Sequence, residues 1–339
     1  MRKQFPYTLF FSILILIFMI VAPMIIIKSM PVKASSEEDN SSSISENNNL
    51  ITINGSENIK VYITKEDRME EVPIEDYVKS VVSGEMPASF SDEALKAQAV
   101  AARTYIMSKR SRPCDIAKGG DVCDTTHCQV YISKNERLEK WGEKANEYWD
   151  KISKAVDDTK GMVLSYDNEL VLYPQFFSTS SGYTENAVDV FSNDVPYLVS
   201  TESSGEEIAP KYEAETPFNI NDFVNKVNEK YPSAELTAEN IQGNIEIVSR
   251  SDAGGVKEIR LGKTKIRGLD FRLAFGLNST NFEYTVSGEQ IIFKCKGYGH
   301  GVGMSQWGAN VMAKNGSNYE EILKHYYKGI ELKEIKFKE

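Results

Sequence analysis

Hydrophobic residues follow a helical pattern on both sides of the sequence SGEMPASF, residues 83–90. Upstream, apolar side chains recur at positions 74, 77, 78, 81 and 82, which is the spacing of one face of a helix. Pro73 suits the first turn of that helix, and Gly84 suits its end. Downstream, Ser91 can cap a second, alanine-rich helix that continues to Lys109. The pattern therefore predicts two helices joined by a short loop, and this loop contains Glu85.

Helical and alternating patterns continue over most of the chain and predict an α+β fold. Further helices are predicted at 135–157, 218–231, 268–275 and 319–327. Strands are predicted at 51–53, 59–63, 162–166, 170–177, 245–249, 256–261, 282–286 and 290–295. We expect a discontinuous main region of helices and mixed or antiparallel strands, formed by residues 51–204 and 290–339. An α+β insertion at 205–289 divides this region.

The N-terminal segment has the composition of a membrane anchor. Residues 7–27 contain no charged side chain, and a helix of that length spans roughly 30 Å, the thickness of the hydrocarbon layer of a bilayer. Basic residues before it predict that 1–6 form a cytoplasmic tip and that the rest of the chain is extracytoplasmic. A signal peptide cleaved near residues 32–34 is the alternative. Residues 28–50 are mostly polar, which predicts a flexible linker to a single-pass anchor in the cell membrane.

Three of the four cysteines cluster with a histidine in a short segment. Cys114, Cys123, His127 and Cys128 supply three thiolates and an imidazole, which is a donor set for tetrahedral zinc. Four protein ligands leave no open coordination position, so such a zinc ion is expected to be structural. A disulfide is the alternative, because an extracytoplasmic location permits one.

Glu85 is the strongest candidate for acid–base chemistry. It follows the negative end of the first predicted helix, and it lies where burial is expected. Both effects disfavour a charged carboxylate and raise its pKa, as a general acid near neutral pH requires. An ordinary surface glutamate is the alternative.

Three separated motifs resemble the stage II sporulation protein D family, peptidoglycan lytic enzymes of spore-forming bacteria. They are GEMPASF followed by EALKAQAVAARTY at 84–105, FFSTSSGYTEN at 176–186, and GYGHGVGMSQWGA at 297–309. The resemblance covers residues 55–335, and Glu85 matches the family's catalytic glutamate. Some family members also carry a Cys/His zinc site in the corresponding segment. The resemblance implies that the main region, residues 51–204 and 290–339, is the catalytic region.

The second and third motifs are candidates for contacts with carbohydrate. The expected substrate-binding residues are Ser178, Thr179, Ser180, Ser181, Gly182, Tyr183, His300 and Gln306. The hydroxyl-rich turn can bind a sugar, or it can satisfy its own backbone. His300 can orient Glu85, bind substrate or serve packing alone. The family usually has a glycine where this chain has Ser181.

The resemblance implies a lytic transglycosylase. In this reaction the C6 hydroxyl of N-acetylmuramic acid attacks the anomeric carbon, so one glutamate serves as acid and then base and a 1,6-anhydro end forms. The implied setting is forespore engulfment in the intermembrane space, with a sporulation amidase and a membrane scaffold as partners.

Two other functions remain open at this point. One is a hydrolytic muramidase that uses Glu185 or an aspartate as its second carboxylate. The other is a non-catalytic wall-binding or amidase-activating protein. The net charge of −10 disfavours nucleic acid as a partner. Neither 178–181 nor 297–303 contains an Arg or a Lys, which favours a neutral sugar edge and hence peptide-stripped strands.

Overall fold

The computed structural model describes residues 49–338. The predicted cytoplasmic tip, the predicted anchor at 7–27 and nearly all of the predicted linker lie outside these residues. Between 49 and 338, no helix combines the length and the apolar composition needed to cross a membrane. The anchor, the signal-peptide alternative and the localisation that depends on them stay predictions.

The described part of the chain is a mixed α+β structure, as the patterns predict. Its helices are α1 (Ile74–Glu85), α2 (Asp92–Ser111), α3 (Lys134–Trp141), α4 (Ala145–Asp157), α5 (Ala187–Phe191), α6 (Ile220–Lys230), α7 (Ile241–Asn244), α8 (Gly268–Phe275), α9 (Gln306–Lys314) and α10 (Tyr319–Tyr326). Its strands are β1 (Leu50–Asn54), β2 (Asn58–Ile63), β3 (Arg68–Pro73), β4 (Val122–Cys123), β5 (Met162–Tyr166), β6 (Glu169–Leu170), β7 (Phe176–Phe177), β8 (Gly182–Tyr183), β9 (Glu202–Ser203), β10 (Glu213–Asn219), β11 (Ile245–Arg250), β12 (Val256–Leu261), β13 (Thr264–Arg267), β14 (Phe282–Ser287), β15 (Gln290–Lys296), β16 (Met304–Ser305) and β17 (Glu331–Lys338).

Helix α2 lies at the centre of the first hydrophobic core. It contacts α1, α4, α9, α10 and strand β5. Its alanines, such as Ala97 and Ala101, are fully buried, and their small side chains let neighbouring elements approach closely. Strand β5 belongs to a sheet with the order β1-β17-β5-β6, in which β17 is parallel to β1 and antiparallel to β5. Because α2 is surrounded, it positions both α1 and α9, the helices that carry Glu85 and Gln306.

A buried ion pair connects α2 to α1. The Nε and Nη2 atoms of Arg103 lie 3.0 and 2.6 Å from the two carboxylate oxygens of Glu75. Nη1 of Arg103 also donates to the carbonyl oxygen of Met162 at 3.1 Å. The Arg103 side chain has no exposed surface, and loss of one partner from such a pair typically costs about 3–5 kcal/mol. These contacts give Arg103 a structural role within the motif at 84–105.

A second hydrophobic core contains buried residues from Ile220 to Cys295. It is formed by helices α6 and α8 with two three-stranded sheets, β10-β15-β14 and β11-β12-β13. Phe223, Phe271 and Phe293 contact one another at its centre. The predicted boundary at 289/290 falls in the turn between β14 and β15, and both strands pack in this core. The division into a catalytic region and an insertion stays a prediction.

Three predicted elements differ from the structure. Helix α1 continues through Gly84 and includes Glu85 as its last residue, so Glu85 does not lie in a loop. The helix predicted at 135–157 breaks at Gly142, which has a φ of 56° that glycine adopts readily. The strand predicted at 170–177 is interrupted around Pro174, which has no N–H group for a sheet hydrogen bond.

Candidate active site

Glu85 lines an open cleft of about 380 Å³ that also includes Ser178 and Gln306. These three residues come from the three separate sequence motifs. Glu85 ends α1, Ser178 follows β7, and Gln306 begins α9. Strands β7 and β16 pair in parallel, which brings the second and third motifs together. The structure therefore places one residue of each motif at the same cleft.

The side chain of Glu85 is half-buried. Its Oε1 atom accepts a hydrogen bond from the backbone N–H of Val130 at 2.7 Å. Burial raises the pKa of Glu85, while the Val130 N–H group and the Gln306 side chain partly offset this rise. A raised pKa keeps a fraction of the carboxyl groups protonated closer to neutral pH, which is the state that a general acid needs.

Gly84 allows the close approach that produces this hydrogen bond. A Cβ atom at position 84 would lie 2.6 Å from the carbonyl oxygen of Val130, which is too close for any side chain. The sequence-based interpretation of Gly84 as the end of the helix is wrong, because α1 continues to Glu85. The physical role of Gly84 is to admit the Val130 backbone beside α1.

Three aromatic residues also line the cleft. Phe90 and Trp307 pack edge to face, with ring centroids 4.8 Å apart. Tyr298 is a further ring at the cleft. All three rings present a broad apolar face, and Trp307 and Tyr298 also have a polar tip. They suit a ligand that, like a sugar ring, has an apolar C–H face and hydroxyl edges.

The hydroxyl-rich turn after Ser178 mainly satisfies groups of the protein itself. Thr179 exchanges backbone hydrogen bonds with Tyr298 at 3.0 and 2.8 Å. The Oγ atom of Ser181 accepts a hydrogen bond from the Nδ2 atom of Asn281 at 2.9 Å. Apart from Ser178, no residue of the turn lines the Glu85 cleft. These contacts favour the interpretation of the turn as a self-satisfied loop.

The next predicted contacts, Gly182 and Tyr183, form strand β8 and pair with β9. The backbone N–H group of Gly182 donates to Ser180 Oγ at 3.2 Å. Tyr183 is 52% exposed. Neither Gly182 nor Tyr183 is part of the Glu85 cleft.

His300 also lies outside the residues that line this cleft. Its Nδ1 atom accepts a hydrogen bond from the backbone N–H of Val302 at 3.1 Å. The ring packs between Phe177 and Phe191, at centroid distances of 5.7 and 5.5 Å. Burial, with a smaller effect of Arg272, lowers the pKa of His300 to about 4. The imidazole is therefore neutral near pH 7, and its contacts favour the packing alternative over the two functional ones.

Glu206 is a buried acid that the sequence did not single out. Its Oε2 atom accepts hydrogen bonds from the Ser180 backbone N–H at 2.8 Å and from Ser305 Oγ at 2.6 Å. Its Oε1 atom accepts from Ser203 Oγ at 2.5 Å. Glu206 thus connects the turn after Ser178 with the residue that precedes Gln306. No local pattern marks it, because two of its three partners, Ser180 and Ser305, come from distant parts of the chain.

Glu206→Gln is expected to change how the free energy of unfolding depends on pH. Burial raises the pKa of Glu206 from 4.5 to about 7. The folded state therefore binds the proton more tightly, and this contribution to stability is present below pH 4.5 and lost as pH rises through about 7. Urea unfolding at pH 5 and 8 should show that the wild type loses about 2–3 kcal/mol more than the variant over this range. Identical pH dependence of the two proteins would contradict the shifted pKa.

Glu185, the second carboxylate of the muramidase alternative, lies elsewhere. It is buried and lines a separate cavity of about 30 Å³ together with Ser251 and Lys257. Its Oε1 atom accepts a hydrogen bond from the Gly255 backbone N–H at 3.1 Å. Among the described residues that line the larger cleft, Glu85 is the only carboxylate.

The four predicted metal ligands converge at one point. Their ligand atoms all lie within 4.8 Å of one another. The Sγ atoms of Cys114, Cys123 and Cys128 lie 3.4, 3.9 and 3.8 Å from the Nδ1 atom of His127. Ideal tetrahedral zinc would place sulfur and nitrogen ligands about 3.6 Å apart. The sulfurs are not bonded to one another, and the four ligand atoms have the spacing that a tetrahedral zinc ion would need.

The comparisons with known proteins agree with the three motifs. A family model described as "Stage II sporulation protein" matches residues 62–166, which include Glu85 and the Cys/His cluster. Stage II sporulation protein D of Bacillus amyloliquefaciens is 40% identical over 281 residues, which cover 81% of this chain and 78% of that protein. The protein of the same name from Bacillus subtilis (strain 168) is 39% identical over 278 residues, covering 81% and 79%. The chain belongs to the stage II sporulation protein D family.

Membership in this family confirms the resemblance and places the chain among sporulation proteins. A more distant relative is the amidase enhancer of Bacillus subtilis (strain 168), 30% identical over 309 residues, which cover 75% of this chain and 40% of that protein. Relatives with different names are therefore similar to this chain in sequence, and family membership alone does not specify the reaction.

Proposed function

We propose that this sporulation protein is a peptidoglycan lytic transglycosylase in which Glu85 acts as the general acid and then as the base. The observation that supports this most strongly is that Glu85, whose pKa is raised by burial, is the only carboxylate among the described residues that line the cleft. Most glycoside hydrolases place two carboxylates at the scissile bond. A reaction in which the substrate supplies its own nucleophile needs only one catalytic carboxylate.

In the first step, the protonated carboxyl group of Glu85 gives its proton to the glycosidic oxygen while the bond from this oxygen to C1 of N-acetylmuramic acid breaks. The C6 hydroxyl of the same sugar then forms a bond to C1, and Glu85 takes up the proton of that hydroxyl. The product has a 1,6-anhydro end, and Glu85 is protonated again. The N–H group of Val130, with the Gln306 side chain, stabilises the carboxylate between the two steps.

The Cys/His cluster supports this geometry if it holds zinc. Cys114, Cys123, His127 and Cys128 would bind the ion through all four coordination positions, so the ion would be structural. Val130 follows Cys128 by two residues. A fixed metal site therefore restrains the segment whose backbone N–H group bonds to Glu85.

The proposed setting is the intermembrane space during forespore engulfment. The predicted N-terminal anchor would hold the folded part near the membrane, together with a membrane scaffold. Glycan strands stripped of peptide stems by a sporulation amidase would be the substrate. An amidase-activating role is the second candidate, because the amidase enhancer is 30% identical over 309 residues.

Analysis of reaction products separates these functions. Purified protein is incubated with peptide-free glycan strands, and the ends of the strands are identified by mass spectrometry. We expect 1,6-anhydro ends. Reducing ends would instead indicate the muramidase, and unchanged strands would indicate a binding or activating protein.

A further inference from the structure

Two basic side chains, Arg137 and Lys211, line the Glu85 cleft. They come from α3 and from the segment that follows the 3-10 turn Glu206–Ile208, so neither belongs to the three motifs. The expectation of a neutral sugar edge depended on the absence of basic residues within the motifs. Residues 178–181 and 297–303 do lack Arg and Lys, but other segments supply positive charge to the cleft, so the expectation of a neutral edge does not hold for the cleft as a whole.

Arg137 has hydrogen-bonding capacity that the protein does not use. One Nη2 atom donates to the carbonyl oxygen of Ser83, and the guanidinium group lies 4.9 Å from the centre of the Trp141 ring. Its Nε atom is buried and has no partner in the described part of the chain. Burial lowers the pKa of Arg137, and only Glu136 opposes this effect. An anionic ligand would compensate the partly buried charge.

Lys211 supplies a second positive charge at the same cleft. Its Nζ atom lies 4.5 Å from the centre of the Tyr298 ring, and both residues line the cleft. The ring attracts the ammonium group and restrains it. Between residues 49 and 338, the ion pairs of the protein include neither Lys211 nor Arg137, so both charges are available to a ligand.

Muramic acid has an acidic group whose charge depends on the stem peptide. Its lactyl carboxyl group forms a neutral amide in a peptide-bearing strand, and it becomes a free carboxylate when an amidase removes the stem. We infer that Arg137 and Lys211 bind this free lactyl carboxylate, so that the cleft recognises the group exposed by stem removal. A guanidinium group pairs with a carboxylate through two parallel hydrogen bonds, and an ammonium group adds a point charge. The inference rests on the proposed function and names the feature of the substrate that the site selects.

The first test compares two substrates that differ only at this group. Peptide-free strands are used either unmodified or with their lactyl carboxyl groups converted to methylamides. For the full-length protein, we expect kcat/KM to be about tenfold higher on the carboxylate form, the lower end of what hydrogen bonds to charged groups contribute at a solvent-accessible site. Lys211→Met should reduce this preference by slowing cleavage of the carboxylate form alone.

The chain offers a matched control. Lys226 is exposed and also lies over an aromatic ring, 5.3 Å from the centre of Phe275, but it is on α6 and does not line the Glu85 cleft. Lys226→Met should leave the preference unchanged. Arg137 also donates a hydrogen bond to Ser83, so Arg137→Gln can affect folding as well as binding. Its substrate preference is therefore compared with that of Arg137→Lys, and the melting temperatures of both variants are measured. The lysine variant should keep part of the preference because it keeps the charge.

Binding provides a readout that does not depend on catalysis. Calorimetric titration of the Glu85→Gln variant with a muramic-acid-containing disaccharide should give a dissociation constant about tenfold lower for the free acid than for its methylamide. Added salt should reduce this difference. Equal binding of the two forms, or equal cleavage of them with anhydro products, would overturn the inference and leave the proposed function intact. If no strand acquires anhydro ends, the proposed function fails, and the binding difference still decides the role of the two cations.

Discussion

Glu85→Gln is expected to lower the rate of glycan cleavage by about 10²–10⁴-fold, the usual effect of losing a general acid. Glutamine keeps the size of the side chain and can still accept the hydrogen bond from Val130, so folding and strand binding should change little. It has no proton to give to the glycosidic oxygen. The measurement is the rate of anhydro-end formation, with the melting temperature as a check on folding.

Glu185→Gln is the matched variant for this experiment. Glu185 lines a different cavity and keeps an acceptor oxygen for Gly255 as glutamine. The cleavage rate of the Glu185→Gln variant should stay within about tenfold of the wild-type rate, which is a smaller loss than that expected for a general acid. A larger loss in Glu185→Gln than in Glu85→Gln would favour the muramidase mechanism.

The pH dependence of the wild-type rate gives a second check on Glu85. The first step needs the protonated carboxyl group, so the rate should fall as pH rises through the pKa of Glu85. Burial raises this pKa, which moves the fall in rate to a higher pH than an ordinary carboxyl group would give.

Cys123→Ser is expected to remove bound zinc and to lower the melting temperature by roughly 10 °C. Cys123 is fully buried, and it lies in β4, which pairs in parallel with β2. Losing one of four ligands weakens the site, and the loop between α2 and α3 then loses its cross-link. The measurements are metal content per chain, expected to be about one in the wild type if one ion fills the four-ligand site, and thermal unfolding with and without a chelator.

Cys295→Ser is the control, because Cys295 is also buried but lies in β15, outside the metal cluster. It should keep the zinc. The disulfide alternative would be supported if the wild-type protein contains no zinc, a chelator leaves its melting temperature unchanged, and two of the clustered thiols are oxidised.

The sequence determined the features whose causes are local. The periodicity of 74–82 and of 92–109 predicted α1 and α2 with small errors at their ends, because a helical apolar face reports burial directly. The Cys/His cluster was visible because all four ligands occur within 15 residues, from Cys114 to Cys128. Glu85 was identifiable because the motif around it resembles a known family.

The tertiary structure decided which residues share the cleft. Arg137, Lys211 and Tyr298 come from segments far from Glu85 in sequence, and the hydroxyl-rich turn, apart from Ser178, bonds within the protein. Glu206 acquires its connecting role only through Ser180 and Ser305, which lie in two distant segments. A hydrophobic pattern shows that one face of an element is buried, but it does not show which element covers that face. The charge and the shape of the cleft depend on which elements pack together, and this pairing is known only from the folded chain.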